Sequence, residues 1–449
     1  MKKRDQLTAR QQSTFIIAPF GIQLSQCPTV DELKALRHLS ALKELTLLRE
    51  LPLSYGSIYY LNNITSLKVR FNTVVLIPRM NHLKHLEILE NPNEKSQFTD
   101  IRVGTICKLK NLESFVVRFP NPRLPPEYFE KLSVLSKLTE LEISTDSSND
   151  WEKAKSISTF SQLTKLNIQC SKNINMIITS VGSLSNLTYL NASQCNISSV
   201  NLKFLQLFKL TKLDLSKNNI GGDGMKVIAL LTNLKYLNLQ DCNITNDCIT
   251  HLTSLTKLVH LNVGDNYIGN EGLFLISSLR NLTYLSVERG TGRRFNERQV
   301  DIANQGMEIN HQGIAHLTNL HNLRHLDFSG KPICDKGIEF IGKLNSIEIL
   351  NVSRCNCSGD IESLQKSPHL INLNIVGNPI GDKGAEILSR MTLEELNARN
   401  CGISYDGVKL IGNSKIKTAF LQNNPGMRKN NDDITKFKNI VSKKDHSWE

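Results

Sequence analysis

LTKLDLSKNNIGGDGMKVIALL (residues 210–231), LKYLNLQDCNITNDCITHLTSL (234–255) and LVHLNVGDNYIGNEGLFLISSL (258–279) align with one another without a gap. In each, a short L-x-L segment alternates apolar and polar residues, the period of a strand with one buried face. The I-G-x-x-G-x-x-x-I segment that follows in the first and third has the spacing of a short amphipathic helix. A unit of this size cannot bury its own apolar face, so neighbours must stack into a quasi-one-dimensional core. Working outward, the second leucine of each L-x-x-L-x-L unit falls at Leu45, Leu67, Leu86, Phe115, Leu141, Leu166, Leu190, Leu213, Leu237, Leu261, Leu285, Leu326, Leu350, Leu373, Leu396 and Ala419. That makes about sixteen units. The step is 23–25 residues from Leu141 to Leu285 and 23 or 24 from Leu326 onward, but 19–29 in the first few units and 41 between Leu285 and Leu326.

This pattern resembles the leucine-rich-repeat family, in particular its cysteine-containing and ribonuclease-inhibitor-like members. The resemblance covers roughly residues 39–424 and is specific because many units share one register. It implies an α/β solenoid of horseshoe form, with a parallel β-sheet on the concave face and short helices on the convex face. The expected organisation is an N-terminal cap (1–38), a repeat array (39–425) with a basic insertion at 289–306, and a C-terminal cap or tail (426–449).

Five residues after each marker stand Cys195, Asn218, Cys242, Asn266, Gly290, Lys331, Cys355, Asn378, Cys401 and Asn424. In the family this is an inward-pointing turn residue whose side chain satisfies backbone groups of the adjacent coil. Asn does this fully, and Cys serves as a small buried hydrophobe with a weak donor. The alternation suggests growth by duplication of a two-repeat unit. Successive cysteines of this series lie two coils apart, roughly 10 Å at one strand spacing per coil, beyond the reach of a disulfide. Structural thiols in a reducing cytoplasm are therefore expected. A further series, Gly224, Cys248, Gly272, Gly313, Gly337, Gly384 and Gly407, reads as small residues at the turn into the convex helix, and Gly221-Gly222-Asp223-Gly224 as repeat punctuation instead of a phosphate loop.

The chain carries a formal charge of +12, spread along its length without a Lys/Arg block, so nucleic-acid binding is not expected. No stretch approaches the roughly 20 apolar residues that span a bilayer, and the N-terminal apolar run is broken by Pro19. His311, His316, His321 and His325 pass from turn to helix to strand within one coil, so their side chains should diverge and hold no metal. No nucleophile-base pair, zinc-protease motif or cofactor loop is present. The expectation is a non-enzymatic monomer with no cofactor and no small-molecule substrate.

The residues that flank each inward leucine should face outward on the concave side. The row before the marker contains Tyr189, Lys212, Tyr236, His260, Tyr284 and His325; the row after it is mostly Asn and Asp. Tyr and Arg beside short polar side chains suit protein contacts. Arg289, Arg354 and Arg399 lie further out, and the insertion adds Arg293 and Arg294 around Phe295. These twelve residues are the candidate partner-binding set, with an acidic protein the most natural partner. The resemblance implies a protein-binding scaffold, with a host-directed effector acting inside a host cell as one form. The alternatives are the substrate-recognition subunit of an F-box-type ubiquitin ligase, although no F-box is evident, and a regulator or inhibitor of an enzyme such as a GTPase.

Overall fold

The computed structural model describes residues 15–18, 21–56, 58, 60–89, 99–118, 127–143, 156–169, 177–203, 205, 207, 209–290, 308–428 and 436–441. They fall into two compact units, residues 1–213 and 214–449. Each unit is a stack of α/β coils that contribute one strand apiece to a parallel sheet.

The first unit opens with a hairpin of β1 (Phe15–Ala18) and β2 (Gly21–Leu24), the only antiparallel pairing among the described strands. From β2 onward the strands pair in parallel: β3 (Glu44–Leu47), β4 (Ser66–Arg70), β5 (His85–Leu89), β6 (Ser114–Arg118), β7 (Glu140–Glu142), β8 (Lys165–Asn167) and β9 (Tyr189–Asn191). Leu45, Leu67, Leu86, Phe115, Leu141, Leu166 and Leu190 stand directly opposite one another, and all are buried. The helix Val30–Leu36 that follows β2 is started by a capping box. The Thr29 hydroxyl accepts from the Glu32 N–H at 3.2 Å, and the Glu32 carboxylate accepts from the Thr29 N–H at 2.8 Å. Two backbone donors are thereby satisfied, contributing about 1 kcal/mol.

β10 (Lys212–Asp214) falls at the boundary of the two units. The second unit continues with β11 (Tyr236–Asn238), β12 (His260–Asn262), β13 (Tyr284–Ser286), β14 (His325–Asp327), β15 (Ile349–Asn351), β16 (Asn372–Asn374), β17 (Glu395–Asn397) and β18 (Thr418–Phe420), each parallel to the next. β13 pairs directly with β14, Leu285 opposite Leu326, so the 41-residue step still joins two neighbouring coils. The far edge is covered: the Asn439 backbone carbonyl accepts from the Ala419 N–H, and the Val441 N–H donates to the Ala419 carbonyl. That backbone pairing occupies groups an exposed edge strand would present to other chains. The return path of the coils is helical at Gly221–Ile228, Cys334–Ile341, Gly381–Ser389 and Tyr405–Gly412. The small-residue series sits inside the first helical turn, not in the loop before it. A Cβ at Gly384 would meet the Ile380 side chain at close range, so the cause is close approach of side chains.

The alternating turn residues are buried as expected, and their bonds differ by type. Asn378 donates to the carbonyls of Val352 and Ile375 (both 2.8 Å) and accepts from the N–H groups of Cys355 (2.9 Å) and Cys357 (3.0 Å). Asn266 and Asn424 repeat this with Cys242 and Ile244, and with Cys401 and Ile403. The cysteines only donate: the thiols of Cys242, Cys355 and Cys401 reach the carbonyls of Leu215, Phe328 and Ile375 at 3.1–3.3 Å. Among the described residues every cysteine is a free thiol. Burial pushes the Cys242 thiol up to about 12 and that of Cys401 up to about 11, far from the range in which thiolates react.

Candidate functional surface

On β11–β14 the residue before each buried leucine is aromatic, and the parallel register brings these four into one row: Tyr236, His260, Tyr284, His325. Ring centroids are 4.2, 3.7 and 4.4 Å apart, with interplanar angles of 14°, 14° and 49°. The first two contacts are face-to-face stacks and the third is tilted. Pairs of this kind are worth about 0.5–1.5 kcal/mol each beyond the area they bury. Because the faces are turned to one another, the row presents ring edges, hydroxyls and imidazole nitrogens outward, not flat aromatic area. Burial, with Asp327 and Glu288 nearby, pushes the Tyr284 hydroxyl up to about 12. Burial lowers the His325 imidazole against the opposing pull of Asp327, so the ring favours its neutral form.

The row after the marker is largely taken up by bonds within the chain. Asn167, Asn191, Asp327, Asn374 and Asn397 are buried. Their side chains turn back on the chain: Asn238 Oδ1 accepts from the Gln240 N–H at 3.1 Å, Asn262 Oδ1 from Gly264 at 2.8 Å and Asp327 Oδ1 from Ser329 at 2.8 Å. Neighbouring strands are also cross-linked, Asn238 donating to Asp214 at 3.0 Å and Asn351 to Asp327 at 2.9 Å. These residues fix the strand ends.

Beyond the strand ends carboxylates gather. Gln240 Nε2 donates to Asp265 Oδ2 (3.1 Å) and to Glu288 Oε1 (2.9 Å), the latter two coils away. Glycine at 264 makes that reach possible, since a Cβ there would stand 2.6 Å from Glu288 Cγ. Burial, then Asp327 and Asp265, push the Glu288 carboxyl up to about 7. The next coil's turn residue is Lys331, 9% exposed in a series otherwise filled by Asn, Cys or Gly. Burial, with Arg289 nearby, pushes its ammonium down to about 8, against a weaker upward pull from Asp265.

Of the twelve residues expected from sequence, the structure joins Tyr236, His260, Tyr284 and His325. Tyr189 begins β9 and Lys212 begins β10, both in the first unit. Arg289 is exposed at the end of the β13 coil, and Arg354 is exposed against Gly377. Arg399 is tied down, donating to Gln422 Oε1 at 2.8 Å and lying 4.9 Å over the Phe420 ring. Arg293, Arg294 and Phe295 lie outside the described residues. The histidine series diverges as its spacing implies: His316 packs edge-on against Phe274 while His325 stands in the aromatic row. The twelve include none of Asp241, Asp265 and Glu288, and none of Lys235, Lys257 and Arg324. Lys235 and Arg324 each stand one position before a ring of the row, which is the signal that would have exposed them.

The family model described as leucine-rich repeat matches residues 206–229, 231–247, 250–277 and 366–389. No curated protein matches the sequence. Solved structures similar to this chain include an internalin from Listeria monocytogenes, at 18% identity and a TM-score of 0.45, covering 79% of this chain and 86% of that one. A leucine-rich-repeat protein of Leptospira interrogans matches at 19% identity and a TM-score of 0.41, covering 89% and 95%. A plant peptide hormone receptor solved in complex with the peptide RGF2 matches at 15% identity and 0.45, covering 87% of this chain and 61% of the receptor. Among the described residues no helix is long and apolar enough to cross a membrane.

Proposed function

We propose that this chain, a leucine-rich-repeat protein, is a non-catalytic scaffold whose protein partner docks on the sheet face of β11–β14. The observation that carries the reading is the row of four half-buried rings, held in register by consecutive strands and edged with hydrogen-bonding groups. A rigid row loses little entropy on binding, and Tyr side chains are characteristic anchors of protein interfaces. Arg289 extends the surface on one side, Arg354 and Arg399 follow further along the chain, and Arg293, Arg294 and Phe295 of the insertion, outside the described residues, are proposed as further contacts. The buried cysteines use their S–H form as donors, which suits a reducing compartment. An effector acting on a host protein inside the host cell is the setting we favour.

The test is affinity capture from a cell lysate with the intact chain, with a Tyr236→Ala/Tyr284→Ala variant and with an Arg293→Ala/Arg294→Ala/Phe295→Ala variant. We expect the captured partner to disappear with the ring variant and to weaken with the loop variant, at unchanged melting temperature in the second case. Capture that is indifferent to both variants would remove this face from the interaction.

A further inference from the structure

The aromatic row has two unlike sides. Beside the N-terminal ends of β11–β14 lies a groove of about 450 Å³ whose lining contains the cations Lys235, Lys257 and Arg324, the amides Asn281 and Asn322, and no carboxylate. Lys235 and Arg324 each immediately precede a ring of the row. The backbone there is already in use, for the Lys235 carbonyl accepts from Val259 and His260, and the Thr283 carbonyl from Arg324 and His325. A ligand in the groove must therefore be held by side chains. Lys257 donates to Asn233 Oδ1 at 2.7 Å, and among the described residues neither it nor Lys235 is ion-paired. Arg324 shares one guanidinium nitrogen with Glu348 at 2.9 Å, an exposed contact that leaves its other donors available.

The opposite ends of the same strands carry Asp241, Asp265, Glu288 and Asp327. Across a strand of three residues, about 10 Å, the face passes from cationic to aromatic to a mixed edge where these carboxylates stand beside Arg289. A broad polyanion such as a nucleic-acid duplex or an anionic membrane would meet the carboxylates as well as the lysines. A single extended peptide is narrow enough to meet the lysines alone.

From this charge pattern we infer that the groove takes an extended acidic segment of the protein partner, laid across β11–β14 with its carboxylates on Lys235, Lys257 and Arg324. The inference rests on the docking reading above and adds the chemistry of the docked segment. Lys235 and Arg324 are three coils apart, about 14 Å, which four or five residues of extended chain cover. Alternate residues of such a segment face the cations, and the others face the rings.

A fluorescein-labelled heptapeptide alternating glutamate and serine tests it by fluorescence anisotropy with the full chain. The peptide is expected to bind more tightly than its glutamine–serine and lysine–serine counterparts, and to weaken as salt rises. Lys235→Glu/Lys257→Glu should weaken it at least tenfold, whereas Lys336→Glu/Lys366→Glu, the same charge change at two exposed lysines of another groove, should change it less than twofold. Equal losses in the two variants, preference for the lysine–serine peptide, or no binding below millimolar concentration would each overturn the inference. All four lysines are exposed, and a thermal melt checks that the variants fold. Capture from lysate separates the two readings. Partner lost with the ring variant but kept with Lys235→Glu/Lys257→Glu leaves the docking face standing and removes the acidic segment. Partner kept with both removes the docking face itself.

Discussion

Coils closed by asparagine and coils closed by cysteine look interchangeable in the stack, yet they hold their neighbours in different ways. Both turn residues donate to the same carbonyl of the preceding coil: Asn378 to Val352, Cys401 to Ile375. Only asparagine also accepts, taking the two N–H groups that a preceding cysteine coil leaves open. The coil of Asn378 leaves only one group of the equivalent pair, its own N–H, to the next turn residue. The Ile380 N–H donates to the Asn378 carbonyl, and the Gly381 N–H to the Cys401 carbonyl of the next coil. The backbone follows suit. In cysteine coils the residues on both sides of the cysteine are left-handed, as at Arg354 (φ 55°) and Asn356 (φ 60°); in the Asn378 coil they are Gly377 (φ 71°) and, four positions further on, Gly381 (φ 56°). The alternation is thus a mutual requirement: a cysteine coil needs an asparagine after it, and an asparagine coil provides for a cysteine.

The largest effect should follow from breaking the asparagine side. Asn378→Ala removes two donations and two acceptances at a fully buried position. Three backbone groups, the Val352 carbonyl and the Cys355 and Cys357 N–H groups, are left without partners, since the Ile375 carbonyl keeps the Cys401 thiol, and each costs about 1–3 kcal/mol when water cannot replace the lost bond. With partial access by water the total should be about 4 kcal/mol, a loss large enough to be diagnostic. Urea unfolding measures it, and hydrogen exchange localises it: the amides of Cys355 and Cys357 should lose protection first. Protection unchanged at those two amides would show that the bonds do not carry the coil.

Lys331 breaks the series, and its pH dependence sharpens the contrast. Its ammonium is held near 8 in the fold against an ordinary lysine value of 10.5. Between pH 8 and 10.5 the unfolded chain binds more protons at this residue than the folded one, so stability rises with pH across that window and the full penalty is present below 8. Lys331→Met, of similar length and uncharged, should therefore stabilise the protein at pH 7 by about 3 kcal/mol, at roughly 1.4 kcal/mol for each pKa unit. The gain should shrink towards pH 10.5, as read by thermal melts at both values. A gain of equal size at both would mean that packing, not charge, is what methionine improves.

The solenoid was legible in the sequence because one register repeats: each marker leucine lands opposite the next, and even the 41-residue step from Leu285 to Leu326 keeps it. The Asn/Cys series was equally visible, but its cause was not. Duplication explains how the series arose, whereas the reason it persists lies in which N–H groups each turn leaves open, a matter of backbone angles the residue names do not reveal. The surface was half legible. Periodicity placed Tyr236, His260, Tyr284 and His325 in one row, but not the rotation of their rings that hides the faces. It placed Asn238 and Asn262 beside them without showing that their amides cap their own strands. Glu288 reaches Gln240 across Gly264 only because that coil lacks a side chain, a relation between residues 48 apart in sequence.

The smallest and most discriminating test puts asparagine where it is not provided for. If the turn position simply prefers asparagine, Cys401→Asn should stabilise the protein, since it would make the Cys401 coil resemble the coil of Asn378. The reciprocal bonding gives the opposite sign. Of the two N–H groups that stand where those of Cys355 and Cys357 do, the coil before position 401 already uses that of Ile380, so the new Oδ1 could meet only the Asn378 N–H, while the amide's extra atoms press on a fully buried site. The half-met acceptor and the overpacking should together cost about 2 kcal/mol. Cys401→Ala, which loses only the thiol's donation to Ile375 and a little volume, should cost less, about 1 kcal/mol. The order of the two urea midpoints, alanine above asparagine, is the outcome that mutual requirement demands; the reverse order would return the alternation to a residue of descent with no structural cause.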